Sequence, residues 1–316
     1  MATLYLVQFG LQLHADRGAD AVIEEARLAD EQGFDSVWTG DHLITIRGEQ
    51  RSDGPLETWT LMTAIGAVTR RTRLAFAMLN ASFRNPALLA KMIATVDQIT
   101  HGRVICALGA GWFQDEYAAY DFPFIEDHDE RIQHEREVAQ LMLQLWTSPA
   151  PQRTTFEGKY VRVKDLPFSP APFQQPHPPV WIGGNSATSQ QLMKELASGW
   201  VLLSAGGLRE VIAQAKAEPD WPNREMSIVG GANVFAADTQ QAAERAARHA
   251  FEAGQVPFVP NLEALMQNGV IGTPNQVLER FAEMEGWGVN YLRLTFSDLA
   301  QQTYFADNVI QARVHV

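Results

Sequence analysis

The sequence predicts an α/β fold, a (β/α)8 TIM barrel built as a single domain over residues 1–316. Three observations predict it. Eight short apolar runs with strand-like composition recur along the chain, with helix-like segments fitting between them. The turn after the first run, QFGLQLHAD (8–16), lacks the GxGxxG fingerprint that an open dinucleotide-binding sheet would carry there. Finally, 316 residues of which 46% are hydrophobic suffice for one large core, and neither an internal repeat nor a low-complexity linker divides them.

The elements follow in order. LYLVQFG (4–10) reads as the first strand, and residues 18–33 form a helix whose apolar side carries Ala21, Ile23, Ala26, Leu28 and Ala29 before Gly33 closes it. FDSVWTG (34–40) is the second strand, followed by a helix over 57–70, and RLAFAML (73–79) is the third. Asn85-Pro86 then supplies an N-cap and a proline at the first helical position, opening the helix 86–99. VICALG (104–109) is the fourth strand, and a long helix covers 129–146. The last four strands are PVWIGG (179–184), WVLLSA (200–205), MSIVGGANVF (226–235) and NYLRLTF (290–296), with helices at 186–198, 208–218, 238–254 and 274–286. Two insertions interrupt the alternation. Residues 150–178 are proline-rich and contain TTFEGKYVRV, a short hairpin turning at Glu157-Gly158; residues 255–272 read as a second irregular segment.

Composition narrows the function classes. A net charge of -12 with scattered lysine and arginine disfavours nucleic acid and anionic membrane surfaces. Cys106 is the only cysteine, so no internal disulfide forms; mid-strand, it reads as a small core residue. No basic region with a long apolar run opens the chain, and no apolar stretch reaches membrane-spanning length, so a cytoplasmic protein is expected.

In a barrel of this kind, chemistry sits at the C-terminal strand ends. Those ends are Thr39-Gly40-Asp41-His42, Met78-Leu79-Asn80, Gly109-Ala110-Gly111-Trp112 and Gly183-Gly184-Asn185-Ser186. Several chemistries lack their parts. The five lysines lie in helices or in the 150–178 insertion, away from strand ends where a Schiff base needs one. No HxH or HExxH supplies a metal, and no GxSxG elbow supplies a nucleophile. What remains is a bound organic cofactor that brings its own reactivity.

Gly183-Gly184-Asn185-Ser186 reads in two ways. Bare backbone at a helix start receives a phosphate, or the segment is a tight turn with Asn185 or Ser186 as N-cap. Gly109-Ala110-Gly111 before Trp112-Phe113 likewise suits a flat ring, or is a turn with aromatic packing. His42, beside Asp41 just past a strand end, is placed to move a proton or to bond a ring heteroatom; a lone histidine also serves structure. The remaining histidines read as structural.

Taken together, GFDSVWTGDHL (33–43), GPLETWTLMTAIGAVTRRTRLAF (54–76), FRNPALLAKMIATVDQITHGRVICALGAGW (83–112) and PFQQPHPPVWIGG (172–184) resemble the luciferase-like family. These are TIM-barrel oxidoreductases using FMN or the deazaflavin coenzyme F420. The resemblance covers most of the chain, thins after about residue 205, and is nearest to the F420-dependent branch. It implies that Asp41 and the catalytic His42 face the reactive edge of the ring, and that Ala77-Met78 occupy the place where the family often has a non-proline cis peptide beneath it. It also puts Asn80, Ala110, Gly111 and Asp115 at the cofactor, Gly183, Gly184, Asn185 and Ser186 at its phosphate, and Trp112 on the substrate side.

One departure bears on the substrate. Sugar-phosphate dehydrogenases of the family carry a glutamate at the Trp112 position and a lysine after the sixth strand, where this chain has Ala205-Gly206-Gly207. The resemblance therefore implies an apolar or aromatic substrate and an F420-dependent hydride transfer. An FMNH2-dependent monooxygenase working with a separate reductase is the alternative, and a cofactor-binding protein without turnover is a third. A homodimer is expected by family.

Overall fold

The computed structural model describes residues 7–46, 54–202, 206–256 and 258–314. Its barrel strands are β1 (Gln8–Gln12), β2 (Ser36–Thr39), β3 (Arg73–Phe76) continued by β4 (Leu79–Asn80), β5 (Cys106–Gly109), β8 (Val180–Gly183), β9 (Gly199–Val201), β10 (Ser227–Ala236) and β12 (Tyr291–Thr295). All pair in parallel in chain order, and β12 returns to β1. The ring closes between β3 and β5, where Leu74 bridges Val104 and the Ile105 N–H donates to the Leu74 carbonyl at 2.8 Å. This is the expected (β/α)8 barrel.

Helices α1 (Ala19–Gln32), α2 (Thr58–Val68), α3 (Pro86–Ile99), α5 (His128–Thr147), α6 (Ala187–Leu196), α7 (Leu208–Ala217), α8 (Gln240–Glu252) and α10 (Pro274–Trp287) connect the strands, and α4 (Gln114–Ala119) follows β5 directly. The Asn85 cap is as expected: its side chain accepts from the Ala87 and Leu88 N–H groups at 3.1 Å each. The 150–178 insertion holds the antiparallel hairpin β6 (Arg153–Glu157) and β7 (Arg162–Pro167).

Two expectations need correction, those for residues 255–272 and for the first strand. Residues 255–272 are not irregular: they contain α9 (Leu262–Asn268), capped by Asn261, and β11 (Val270–Gly272), which pairs in parallel with β10. The chain after β12 also turns helical, through α11 (Leu299–Phe305), a π-helical turn (Ala306–Ile310) and α12 (Gln311–Val314). The first strand runs on to Gln12 rather than stopping at Gly10. Gly10 is an interior strand residue, paired on both sides, and it is glycine because a Cβ there would overlap the indole of Trp38. The end of the sixth strand, 203–205, lies outside the described residues, as do the first residues of the chain, 1–6.

Alternation along each strand divides the core. Phe9, Val37, Leu74 and Leu292 point outward under the helices, where Phe9, Phe34, Phe281, Phe296 and Phe305 form an aromatic cluster. Trp38, Trp181 and Tyr291 point inward, with ring centroids 5.2–5.9 Å apart, and fill the barrel. Gly10 and Gly199 make their room, since a Cβ at either would strike Trp38 or Trp181. This packed layer is the floor on which the strand-end residues rest, and Ala77 and Met78 lie directly against it.

Candidate active site

The ends of strands β2, β3–β4, β5 and β8, with α4, α5 and α6, surround a cavity of ≈ 180 Å³. Asp41, His42, Ala77, Met78, Asn80, Ala110, Gly111, Trp112, Gly183 and Gly184 all line it. Asn185, Ser186 and Asp115 do not. Asp115 is exposed on the first turn of α4, whereas Glu116, one residue and about 100° further round the helix, is buried and lines the cavity.

The Ala77–Met78 peptide bond is cis, at the place where the resemblance left a cis bond open. Met78 then fills space that only glycines leave: a Cβ at Gly109 would lie 2.9 Å from Met78 Cβ, and one at Gly183 2.8–3.0 Å from Met78 Cγ, Sδ and Cε. The glycines that the sequence offered for an anion thus first admit a thioether. Gly111 has φ +80°, and a Cβ there would lie 2.7 Å from Asn80 Nδ2. Asn80 is in turn fixed by its Oδ1, which accepts from Tyr117 Oη at 2.8 Å and from the Ser82 N–H at 3.0 Å.

Asp41 is buried, and its carboxylate is fully engaged. It accepts from the Asn80 N–H at 2.9 Å and from the Arg84 guanidinium at 2.6 and 3.0 Å. Arg84 also pairs with Glu57, which caps α2 by accepting from the Trp59 and Thr60 N–H groups. Burial alone would lower the Arg84 pKa, but hydrogen bonds and charge from Asp41 and Glu57 overcome it and raise the pKa above its usual value. Asp41 therefore anchors the strand-end loops as an ion pair.

His42 has a partner the sequence reading missed. Its Nδ1 stands 3.1 and 3.3 Å from the two carboxylate oxygens of Glu116, which also accepts the Leu43 N–H at 3.0 Å. Glu116 is 1% exposed and His42 only partly buried. A carboxylate on Nδ1 fixes the ring orientation and leaves Nε2 as the nitrogen for the cavity. The Trp112 ring, 58% exposed, meets His42 edge-on at 6.1 Å and forms the outer wall. Of the adjacent acids Asp115 and Glu116, helical phase decides which one turns inward, but nothing along the chain ties it to His42.

At the fifth strand end the glycine turn is a helix cap, and its surroundings are compatible with an anion. Ser186 caps α6, its Oγ accepting from the Ser189 N–H at 3.2 Å. The same Oγ meets Ser189 Oγ at 2.8 Å, Thr188 Oγ1 at 3.1 Å and His128 Nε2 at 3.0 Å. Gly184 has φ +118°, and a Cβ there would lie 2.8 Å from Ser189 Oγ. Hydroxyls, a helix N-terminus and a backbone that admits no side chain thus converge on one spot. His128, expected to be structural, lines the cavity here. A larger cavity of ≈ 370 Å³ lies behind the β4–α3 turn among Phe83, Phe122, Tyr160 and His134. Its arginine, Arg84, is already committed to Asp41 and Glu57, which leaves the strand-end cavity as the candidate site.

Residues 1–291 match the model of the family described as luciferase-like monooxygenase. The chain belongs to this family. Among curated relatives it is 27% identical over 279 residues to an FMNH(2)-dependent dimethylsulfone monooxygenase of Pseudomonas putida, covering 87% of this chain and 71% of that one. It is 30% identical over 207 residues to an F420-dependent glucose-6-phosphate dehydrogenase of Amycolatopsis mediterranei, covering 64% and 59%. The fold matches that of the monooxygenase RslO1 from Streptomyces bottropensis, with a TM-score of 0.78 at 22% identity over 96% of this chain and 99% of that one. As a luciferase-like protein the chain is an oxidoreductase dependent on a flavin or deazaflavin. The residues present fit such a group: an apolar floor at Ala77–Met78, bare backbone at Gly109–Gly111, and the hydroxyl cluster at the start of α6. Among the described residues no helix is long and apolar enough to cross a membrane, and no group of three or more His, Cys, Asp or Glu is gathered as for a metal.

Proposed function

We propose that this luciferase-like protein is an F420-dependent oxidoreductase that moves hydride between the deazaflavin and a small organic substrate with an apolar or aromatic body. The observation that carries this reading is the Glu116–His42 pair, which lines the cavity beside Trp112 with Nδ1 engaged by the carboxylate. The deazaflavin, when bound, supplies two-electron hydride chemistry. The chain's residues supply the rest. His42 takes or returns the proton on the substrate oxygen, and Glu116 holds the imidazole in place and stabilises it when charged. Met78 with Ala77, and Asn80, Ala110 and Gly111, would hold the ring of such a cofactor, and Gly183 to Ser186 with Ser189 would hold its phosphate. Asp41 holds this frame through Arg84, and Trp112 walls the substrate space.

A second reading, an FMNH2-dependent monooxygenase supplied by a separate flavin reductase, is favoured by the dimethylsulfone monooxygenase relative that spans most of the chain. Titration of the purified protein with F420 and with reduced FMN separates the two. We expect F420 to bind more tightly and to support turnover; tight binding of FMN alone would overturn the first reading in favour of the second. In either case His42→Ala is expected to lower turnover by about 10²–10⁴-fold while leaving cofactor affinity nearly unchanged. Wild-type turnover in that variant would make His42 a structural neighbour only. We also propose a homodimer, which light scattering at micromolar concentration checks.

A further inference from the structure

The cavity takes its lining from β2 through α6 only. The opposite side of the barrel mouth is formed by β10, β12 and β1, and it carries a cation. Arg293 pairs in register with Gly10 on one side and Gly231 on the other. By alternation from the inward Tyr291, it points into the barrel one layer above the aromatic floor. Gly231 leaves the room: a Cβ there would lie 3.2 Å from Arg293 Nη2.

The surroundings of this guanidinium are neutral. Nη1 donates to Gln12 Oε1 at 2.7 Å, while Nε is buried without a hydrogen-bond partner. Gln12 is held so that its oxygen faces the arginine, because its Nε2 donates to the Leu13 and Trp38 carbonyls at 2.9 and 3.3 Å. Among the described residues no carboxylate forms an ion pair with Arg293, although Arg17, Arg27, Arg84, Arg136, Arg153 and Arg280 all have one. Burial accordingly pushes its pKa down to about 10. Arg293 is partly buried, a cation held largely from water without a counterion is costly, and an arginine presents its donors in a planar fork suited to an oxyanion. Packing alone would be met by a neutral side chain at lower cost.

We propose that Arg293 is the substrate's anion receptor: the substrate is an organic acid whose carboxylate or sulfonate pairs with the guanidinium while its apolar body extends towards His42 and Trp112. This rests on the proposed function in taking the β2–α6 side of the mouth for the cofactor. It narrows the substrate class from apolar molecules to apolar acids.

The test uses the full chain, first free of cofactor, and acetate, methanesulfonate, benzoate and its neutral analogue benzamide as probes in calorimetric titrations. Wild type is expected to bind benzoate roughly tenfold to hundredfold more tightly than benzamide, the range for hydrogen bonds to a charged group. Arg293→Met is expected to bring that ratio to about one, and Arg293→Lys to retain part of it, each checked for folding by circular dichroism. Absence of selectivity for any of the three anions in wild type, or selectivity that survives in Arg293→Met, overturns the proposal. So does a loss of FMN affinity in Arg293→Met with riboflavin affinity unchanged, because the anion would then be the cofactor's phosphate. Failure of both F420 and FMN to bind would instead sink the proposed function, while benzoate selectivity, read without cofactor, would still report on Arg293.

Discussion

Replacing Glu135 on α5 by methionine should flatten the dependence of stability on pH. Glu135 is fully buried, and neither carboxylate oxygen has a hydrogen-bond partner. Burial pushes its pKa up from 4.5 to about 8, opposed only by the charge of the neighbouring Arg136. The folded protein therefore holds this proton more tightly than the unfolded chain. Between pH 4.5 and 8 the native state binds more protons, so stability falls as pH rises and the penalty is complete above pH 8. At about 1.4 kcal/mol per pKa unit, the loss between pH 5 and pH 9 is about 4 kcal/mol, an upper figure because the site can relax around the charge. Methionine has similar volume and no charge, so the variant lacks this slope. Urea denaturation of both proteins at pH 5, 7 and 9 measures the difference directly. The curves should converge at pH 5 and separate by several kcal/mol at pH 9, the variant being the more stable. Parallel profiles would refute the reasoning and mean that Glu135 is solvated or paired in solution.

Three further outcomes are expected. Glu116→Gln keeps the shape but removes the charge behind His42, so turnover should fall by about tenfold or more and the pH–rate profile should shift; an unchanged profile would mean that Glu116 only positions Leu43. Arg84→Met leaves Asp41 buried and unpaired, and chemical denaturation should register a loss of about 3–5 kcal/mol; a loss under 1 kcal/mol would put Asp41 in contact with solvent. Gly184→Val, if folded, should lose FMN affinity while its weaker riboflavin affinity changes little, since a side chain at φ +118° both strains the turn and fills the space before Ser189. Equal binding of FMN and riboflavin by wild type would remove the phosphate from this turn.

Much of this was legible in the sequence because barrels repeat a simple alternation and put their function at predictable ends. The helix start at Asn85-Pro86, the hairpin after the long helix and the strand-end position of His42 all follow from local chemistry. What escaped depended on contacts distant in sequence. Gly10 looks like a strand terminator until Trp38, 28 residues later, is seen to need its space. Gly109 and Gly183 look like a ligand's approach, yet both are shaped around Met78. Glu116 is 74 residues from His42, so no pattern along the chain couples them, and Arg84 stood inside a quoted motif without revealing that it neutralises Asp41. Arg293 reads as an ordinary polar residue in a strand until the ring closes and turns it inward.

The aromatic layer beneath the site has an optical consequence. Trp181 lies two residues below Gly183 on the same strand, about 6–7 Å along it, and Trp38 packs beside it. Two of the protein's eight indoles therefore emit from a dry, rigid setting just under the cavity floor, with the Tyr291 phenol between them and the β12 side. A conjugated ring resting on Ala77–Met78 absorbs at their emission wavelengths from one side-chain layer away. The barrel thus contains its own donor pair for energy transfer, and the arrival of a flavin or deazaflavin is readable as quenching of tryptophan emission without any label.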